Sequence, residues 1–272
     1  MPYGRTIELF LVNGTPDSLI TAELSNWNGK AIKIPRNEVQ GCTREDITGA
    51  GVYFLFCQEE DGTDSVYIGE AENVQDRLIQ HIRSREDYYW NTTVIFVGRD
   101  LNKAHIRYLE NRLVSITREC GRIHVLTRNT YQNTRLSESQ IAAMEEFIEN
   151  IRILIDTLGY RILTPTQRAE ETTVILRCKE AKGFVSANGF VVQGGSKIAD
   201  HTVPSFEVRA HSFFKLRSRL IEDGIIDSQF QFVNDYEFSS PSAAAAVVLG
   251  RSANGLTEWR TEDGKKLKDI QS

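Results

Sequence analysis

No apolar run here is long enough to cross a bilayer. The longest stretch of small apolar residues, Ala243 to Leu249, falls far short of the about 20 residues that a spanning helix needs. The N-terminus, MPYGRTIELF, lacks the basic and apolar stretches of a secretion signal. Cysteine is scarce: Cys42, Cys57, Cys120 and Cys178 are scattered and form no CxxC pair. That argues against a structural zinc site and for reduced thiols in a cytoplasmic protein with no membrane association. Cys120 and His124 are the nearest approach to a metal pair, and no second pair accompanies them. An excess of positive charge is missing too. The net charge of −5 excludes a uniformly basic nucleic-acid binder.

What is present is an ordinary globular composition, 40% hydrophobic and 25% charged over 272 residues, enough for roughly two domains. The charge is unevenly spread. From Arg77 to Arg128 ten Lys and Arg face five Asp and Glu, a local +5, so the rest of the chain carries −10. A basic segment in an acidic chain suits a phosphate-facing surface. A solvated charged face gives the same count.

Apolar and turn patterns predict an α+β protein. Residues 1–46 read as a β-rich segment, with runs at 6–12 and 18–24 about Asn13-Gly14 and a further strand at 30–34 before Pro35. Residues 47–135 predict a three-stranded antiparallel sheet flanked by helices. Its strands are GVYFLFC (51–57), Ser65–Ile68 and TTVIFVG (92–98). One helix runs from about 74 to 84 behind an Asn73 cap, and another from Asn102 to about Glu119 before Gly121. Residues 136–165 hold a long connecting helix opened by the capping box Ser137 and Gln140. Residues 166–272 predict a small α+β targeting module. It has strands at 174–178, 183–187 and 190–195, a type I′ turn at Asn188-Gly189 and a helix over 205–221. An Ala-rich helix capped by Ser242 follows, then a hairpin at Asn254-Gly255 before Trp259. SANGF (186–190) and SANGL (252–256) share that turn chemistry.

The chemistry-bearing residues cluster in the second segment. On the 74–84 helix, Val74, Leu78 and Ile82 form an apolar stripe, and Arg77 and His81, four residues apart, border it. Tyr53 and Tyr67 lie on neighbouring strands. Glu110 projects inside the apolar arc of its helix, where a carboxylate is costly unless it meets a cation. That cation is an arginine in a structural ion pair or a hard divalent metal, which takes carboxylate oxygens.

Gly51-Val52-Tyr53, Tyr67-Ile68-Gly69, Arg77, His81 and Glu110 together resemble the GIY-YIG endonuclease family over about residues 47–135. The first motif carries Val for the usual Ile. Asn129 is a loose match to an asparagine late in the family's module. Glu70 and Glu72 depart from the pattern and set acid where phosphate would approach. Residues 238–272 resemble a small restriction-associated domain of unknown function, through Ser240-Pro241-Ser242-Ala243-Ala244-Ala245 and Asn254-Gly255-Leu256-Thr257-Glu258-Trp259. Similar modules accompany DNA methylases and nucleases, which implies a docking role.

The first resemblance implies metal-dependent hydrolysis of DNA, RNA not excluded, in restriction, phage defence or DNA processing, with or without protein partners. Glu110 would hold Mg²⁺ or Mn²⁺, Arg77 would clamp phosphate, and His81 would orient a tyrosine or donate to phosphate. One of Tyr53 and Tyr67 would be the base and the other a positioning group. The alternatives are a non-cleaving reader of nucleic acid, modified DNA included, and a partner-docking scaffold.

Overall fold

The computed structural model describes residues 4–58, 64–84, 88–128, 130, 134–165, 174–187 and 189–270. Asn129 and Asn188 lie outside them. The chain forms two compact units, which divide at Thr164 and Pro165.

In the first unit, β1 (Ile7–Leu11), β2 (Ile20–Leu24), β3 (Gly29–Pro35), β4 (Gly51–Gln58), β5 (Asp64–Ala71), β6 (Trp90–Gly98) and β7 (His124–Val125) make one sheet. Its order is β1-β2-β3-β6-β4-β5-β7. The expected three strands, β6, β4 and β5, are its centre. The 1–46 segment widens the same sheet, because β3 pairs with β6 from Gly29 opposite Gly98 to Pro35 opposite Thr92. Among the described strands of this sheet only β7 runs parallel to its neighbour, opposite Ser65 and Val66 of β5. Thr127 continues that edge: its hydroxyl accepts from the Ile68 amide at 2.8 Å and donates to the Ile68 carbonyl at 2.7 Å.

Side chains alternate across the pleat and build two cores. Val52, Phe54, Phe56, Val66, Ile68, Val94 and Phe96 pack with α3 (Lys103–Cys120) and α4 (Glu138–Thr157). Tyr53, Leu55, Ile32, Ile34, Ile95 and Val97 face α1 (Arg36–Val39) and α2 (Val74–Arg83) through Val39, Val74 and Leu78. Each such fully buried aliphatic or aromatic side chain contributes about 1.5–3 kcal/mol. The helix ends follow the sequence: Asn73 accepts from the Asp76 amide, Asn102 from Ala104 and His105, and Gly121 ends α3 in the left-handed conformation at φ 62°. The Ser137 and Gln140 capping box is complete.

The second unit holds a four-stranded sheet, β11-β10-β9-β8. Its strands are β8 (Leu176–Cys178), β9 (Ala181–Ser186), β10 (Gly189–Val192) and β11 (Tyr236–Phe238), with helices α5 (Pro204–Arg209), α6 (His211–Glu222), α7 (Pro241–Leu249), α8 (Gly255–Glu258) and α9 (Leu267–Ile270). Every residue of α7 from Ala243 to Leu249 is buried. Phe190 lies against Trp259, with ring centroids 4.4 Å apart. The indole N–H of Trp259 donates to the Pro241 carbonyl at 3.0 Å.

Several expectations for this unit need correction. The helix over 205–221 is two, broken at Ala210, whose φ −142° and ψ 47° are not helical. Ser240, not Ser242, caps the Ala-rich helix. Ser242 instead accepts from the Gly255 amide at 3.0 Å. Asn254-Gly255 is not a hairpin: Asn254 caps α8 by accepting from the Leu256 amide. Gly255 is required because a Cβ there would meet the Pro241 carbonyl carbon at 2.1 Å. Gly189 pairs with Ser186, and the expected type I′ turn includes Asn188, which lies outside the described residues.

Candidate active site

The site is assembled around β5. Tyr53 of β4 pairs with Gly69, and Tyr67 with Leu55, so both tyrosines stand on the sheet face that α2 covers. Gly69 is what lets them meet. A Cβ there would sit 2.4 Å from the Tyr53 hydroxyl and 2.9 Å from the Tyr67 ring. Gly51 answers a second close approach, since its Cβ would lie 2.6 Å from the Phe96 carbonyl oxygen. Both motif glycines thus have a steric cause.

The Tyr53 ring is fully buried, whereas Tyr67 is half-buried. Their ring centroids are 6.3 Å apart. His81, buried on α2, meets both: its Nε2 is 2.9 Å from the Tyr53 hydroxyl, and its ring centroid is 5.1 Å from that of Tyr67. Tyr88 stacks on the outer side of Tyr67 at 5.8 Å. Burial, and then the neighbouring Tyr67, push the Tyr53 hydroxyl well above the usual phenol value, while Arg77 acts the other way. Burial disfavours the Arg77 charge, but Tyr53 and then Tyr67 outweigh it and raise its pKa. Arg77 donates to Gln80 at 3.1 Å.

Glu110 arrives from α3, on the other face of the sheet. It is 7% exposed. The expected structural ion pair is not found: no hydrogen bond or ion pair holds its carboxylate among the described residues. Burial and the nearby Glu70 push its carboxyl up to about 7, against the charges of Lys103, Arg107 and Arg77. Arg77 therefore bears on both sides, on the tyrosines and on Glu110. The structure brings Tyr53, Tyr67, Arg77, His81 and Glu110 into one neighbourhood at the end of β5.

Lys103, Arg107 and Tyr88 escaped the sequence reading. Glu70, expected to repel phosphate, is paired with Lys103 at 3.0 Å and lies 3.8 Å from Arg107. The signal was there: 103, 107 and 110 fall at i, i+4 and i+7 on one helix stripe. Tyr88 carried no such signal.

A carboxylate on a largely buried residue, with no hydrogen bond or ion pair among the described residues, suits a hard divalent cation. Mg²⁺ uses one or two carboxylates and fills its remaining positions with water and phosphate oxygens. Glu110 can supply one such carboxylate. Among the described residues, no group of three or more His, Cys, Asp and Glu stands together as a ready-made metal cage.

Residues 175–271 match the family model of a domain of unknown function, DUF4357. The match begins well before residue 238, so it takes in the four-stranded sheet as well as the terminal helices. No nuclease family is matched over residues 47–135. No curated protein and no solved structure matches the chain. Among the described residues, no helix is long and apolar enough to cross a membrane.

Proposed function

We propose that the first unit is a GIY-YIG-type endonuclease that hydrolyses DNA phosphodiesters with Mg²⁺ or Mn²⁺. The observation that carries this reading is Glu110, a largely buried residue whose carboxylate has no hydrogen bond or ion pair among the described residues, beside Arg77 and a tyrosine–histidine pair. A divalent ion bound there supplies the positive charge that the departing 3′ oxygen needs. Arg77 clamps the non-bridging phosphate oxygens, where charge grows in the transition state. Tyr67, half-buried, is the tyrosine that faces an incoming water and takes its proton. Tyr53, fully buried and bound to His81, holds the histidine ring in place. A phenol with its ordinary pKa of about 10 is protonated at neutral pH, so the base would be the Tyr67 phenolate, its own proton first lost to solvent and its negative charge favoured by the adjacent Arg77.

The second unit serves targeting, in keeping with the matched domain's resemblance to restriction-associated modules. The working compartment is the cytoplasm, and the setting is restriction, phage defence or DNA processing.

The test is a cleavage screen over duplex, branched, modified and single-stranded DNA and RNA, with Mg²⁺, Mn²⁺ and EDTA. Metal-dependent nicking stopped by EDTA and by Arg77→Ala supports the reading. Binding without cleavage of any substrate, unchanged by Arg77→Ala, makes the protein a reader instead.

A further inference from the structure

Glu70 is a charge that the reading above leaves without work. Its side chain is only 6% exposed, although it sits near the end of a strand. The strand register sets it opposite Val52, on the sheet face that packs against α3. There α3 presents Lys103, Arg107 and Glu110 at i, i+4 and i+7, one stripe of the helix. Lys103 Nζ is 3.0 Å from one Glu70 oxygen and Arg107 Nε 3.8 Å from the other. Glu110 follows Arg107 by three residues, about 4.5 Å further along the axis. Glu70 therefore lies against the same stripe as Glu110, near enough for its charge to act on it.

Two buried carboxylates so close together repel unless a cation lies with them. Among the described residues Glu110 has no hydrogen bond or ion pair of its own, and the charges of Lys103, Arg107 and Arg77 act on it from further off. Lys103 neutralises Glu70 from the end of a flexible stem, and its side chain is 36% exposed. Such an ammonium can swing out to water or phosphate at small cost.

We propose that Glu70 is a second carboxylate ligand of the divalent cation held by Glu110, and that Lys103 competes with the metal for it. The inference rests on the metal reading of Glu110. Glu70 is then not an obstacle to phosphate but half of the metal site. Loading the metal frees Lys103 to meet the nucleic-acid backbone.

The test is Mn²⁺ titration of the full chain, followed by electron paramagnetic resonance of free Mn²⁺, with circular dichroism of each variant as the fold control. Glu110→Gln abolishes binding. Glu70→Gln and Glu70→Asp each weaken it by about tenfold or more. The aspartate variant decides, because it keeps the charge and shortens the reach. If Glu70→Asp binds like the wild type, Glu70 acts only through its field and the proposal is overturned, while the Glu110 reading stands. Lys103→Met tightens binding several-fold; weaker binding would make Lys103 the anchor of Glu70 rather than its competitor, and would also overturn the proposal. If the wild type binds no Mn²⁺, or Glu110→Gln binds it unchanged, the metal reading itself fails.

Discussion

At Glu110 the cost of keeping the site shows up as stability. Its carboxyl titrates near 4.5 when unfolded and at about 7 when folded. As pH rises between these values the unfolded state gives up its proton first, so stability falls, and above about 7 the loss is complete. Removing the charge should recover it. Glu110→Gln is expected to raise the melting temperature at pH 8 by about 5 °C, for a gain on the order of 2 kcal/mol, and to change it little at pH 4. Melting curves at the two pH values check this. A variant that melts lower at pH 8 would show that a cation already satisfies Glu110 in the wild type. Gly69 bears the opposite kind of constraint. Gly69→Ala places a methyl 2.4 Å from the Tyr53 hydroxyl, so Tyr53 must leave His81. The expected cost is about 1–3 kcal/mol, read by denaturant unfolding, together with loss of nicking. An alanine variant as stable and active as the wild type contradicts this packing.

Among the elements, α3 matters most, because it carries Lys103, Arg107 and Glu110. Its first turn depends on Asn102, whose side chain accepts from Ala104 and His105 at 2.9 and 3.1 Å. Asn102→Ala is expected to cost about 1 kcal/mol and to lower the melting temperature by a few degrees, measured by circular dichroism. It should also loosen Lys103 next to the cap. This helix was legible in the sequence from its cap to Gly121, and so was the burial of Glu110, because a 3.6-residue period fixes which side chains share a face. The partnership of Glu70 with Lys103 and Arg107 was not legible, since strand register depends on the whole sheet and not on the local pattern. Turns in the second unit failed for a related reason. Asn254-Gly255 has the residues of a hairpin, but the close approach of Pro241 makes it a helix start. The glycine was needed for proximity, not for positive φ.

At the scale of the molecule, each unit has its own core, one around Phe54, Phe96 and Ile151 and the other around Phe190, Phe238 and Trp259. The sequence showed both as α+β segments. It did not show that residues 1–46 extend the central sheet, because β3 meets β6 across a separation of about 60 residues, a pairing that no local pattern records. Separate cores imply separate folding. A chain severed between residues 165 and 174 should leave two folded pieces, checked by two cooperative thermal transitions that match those of the isolated halves. The N-terminal piece should keep metal-dependent nicking and lose substrate preference; loss of all fold in either piece would show that the cores depend on each other.

The central claim is that Glu110 holds a divalent ion for phosphodiester hydrolysis. Its most direct test is the nicking of supercoiled plasmid by wild type and Glu110→Gln, purified side by side, in Mg²⁺ or Mn²⁺ at pH 8. The wild type should nick the plasmid in a way that EDTA abolishes, with a drop of at least about a hundredfold in the variant. Equal nicking by the two proteins, or cleavage that persists in EDTA, would contradict it.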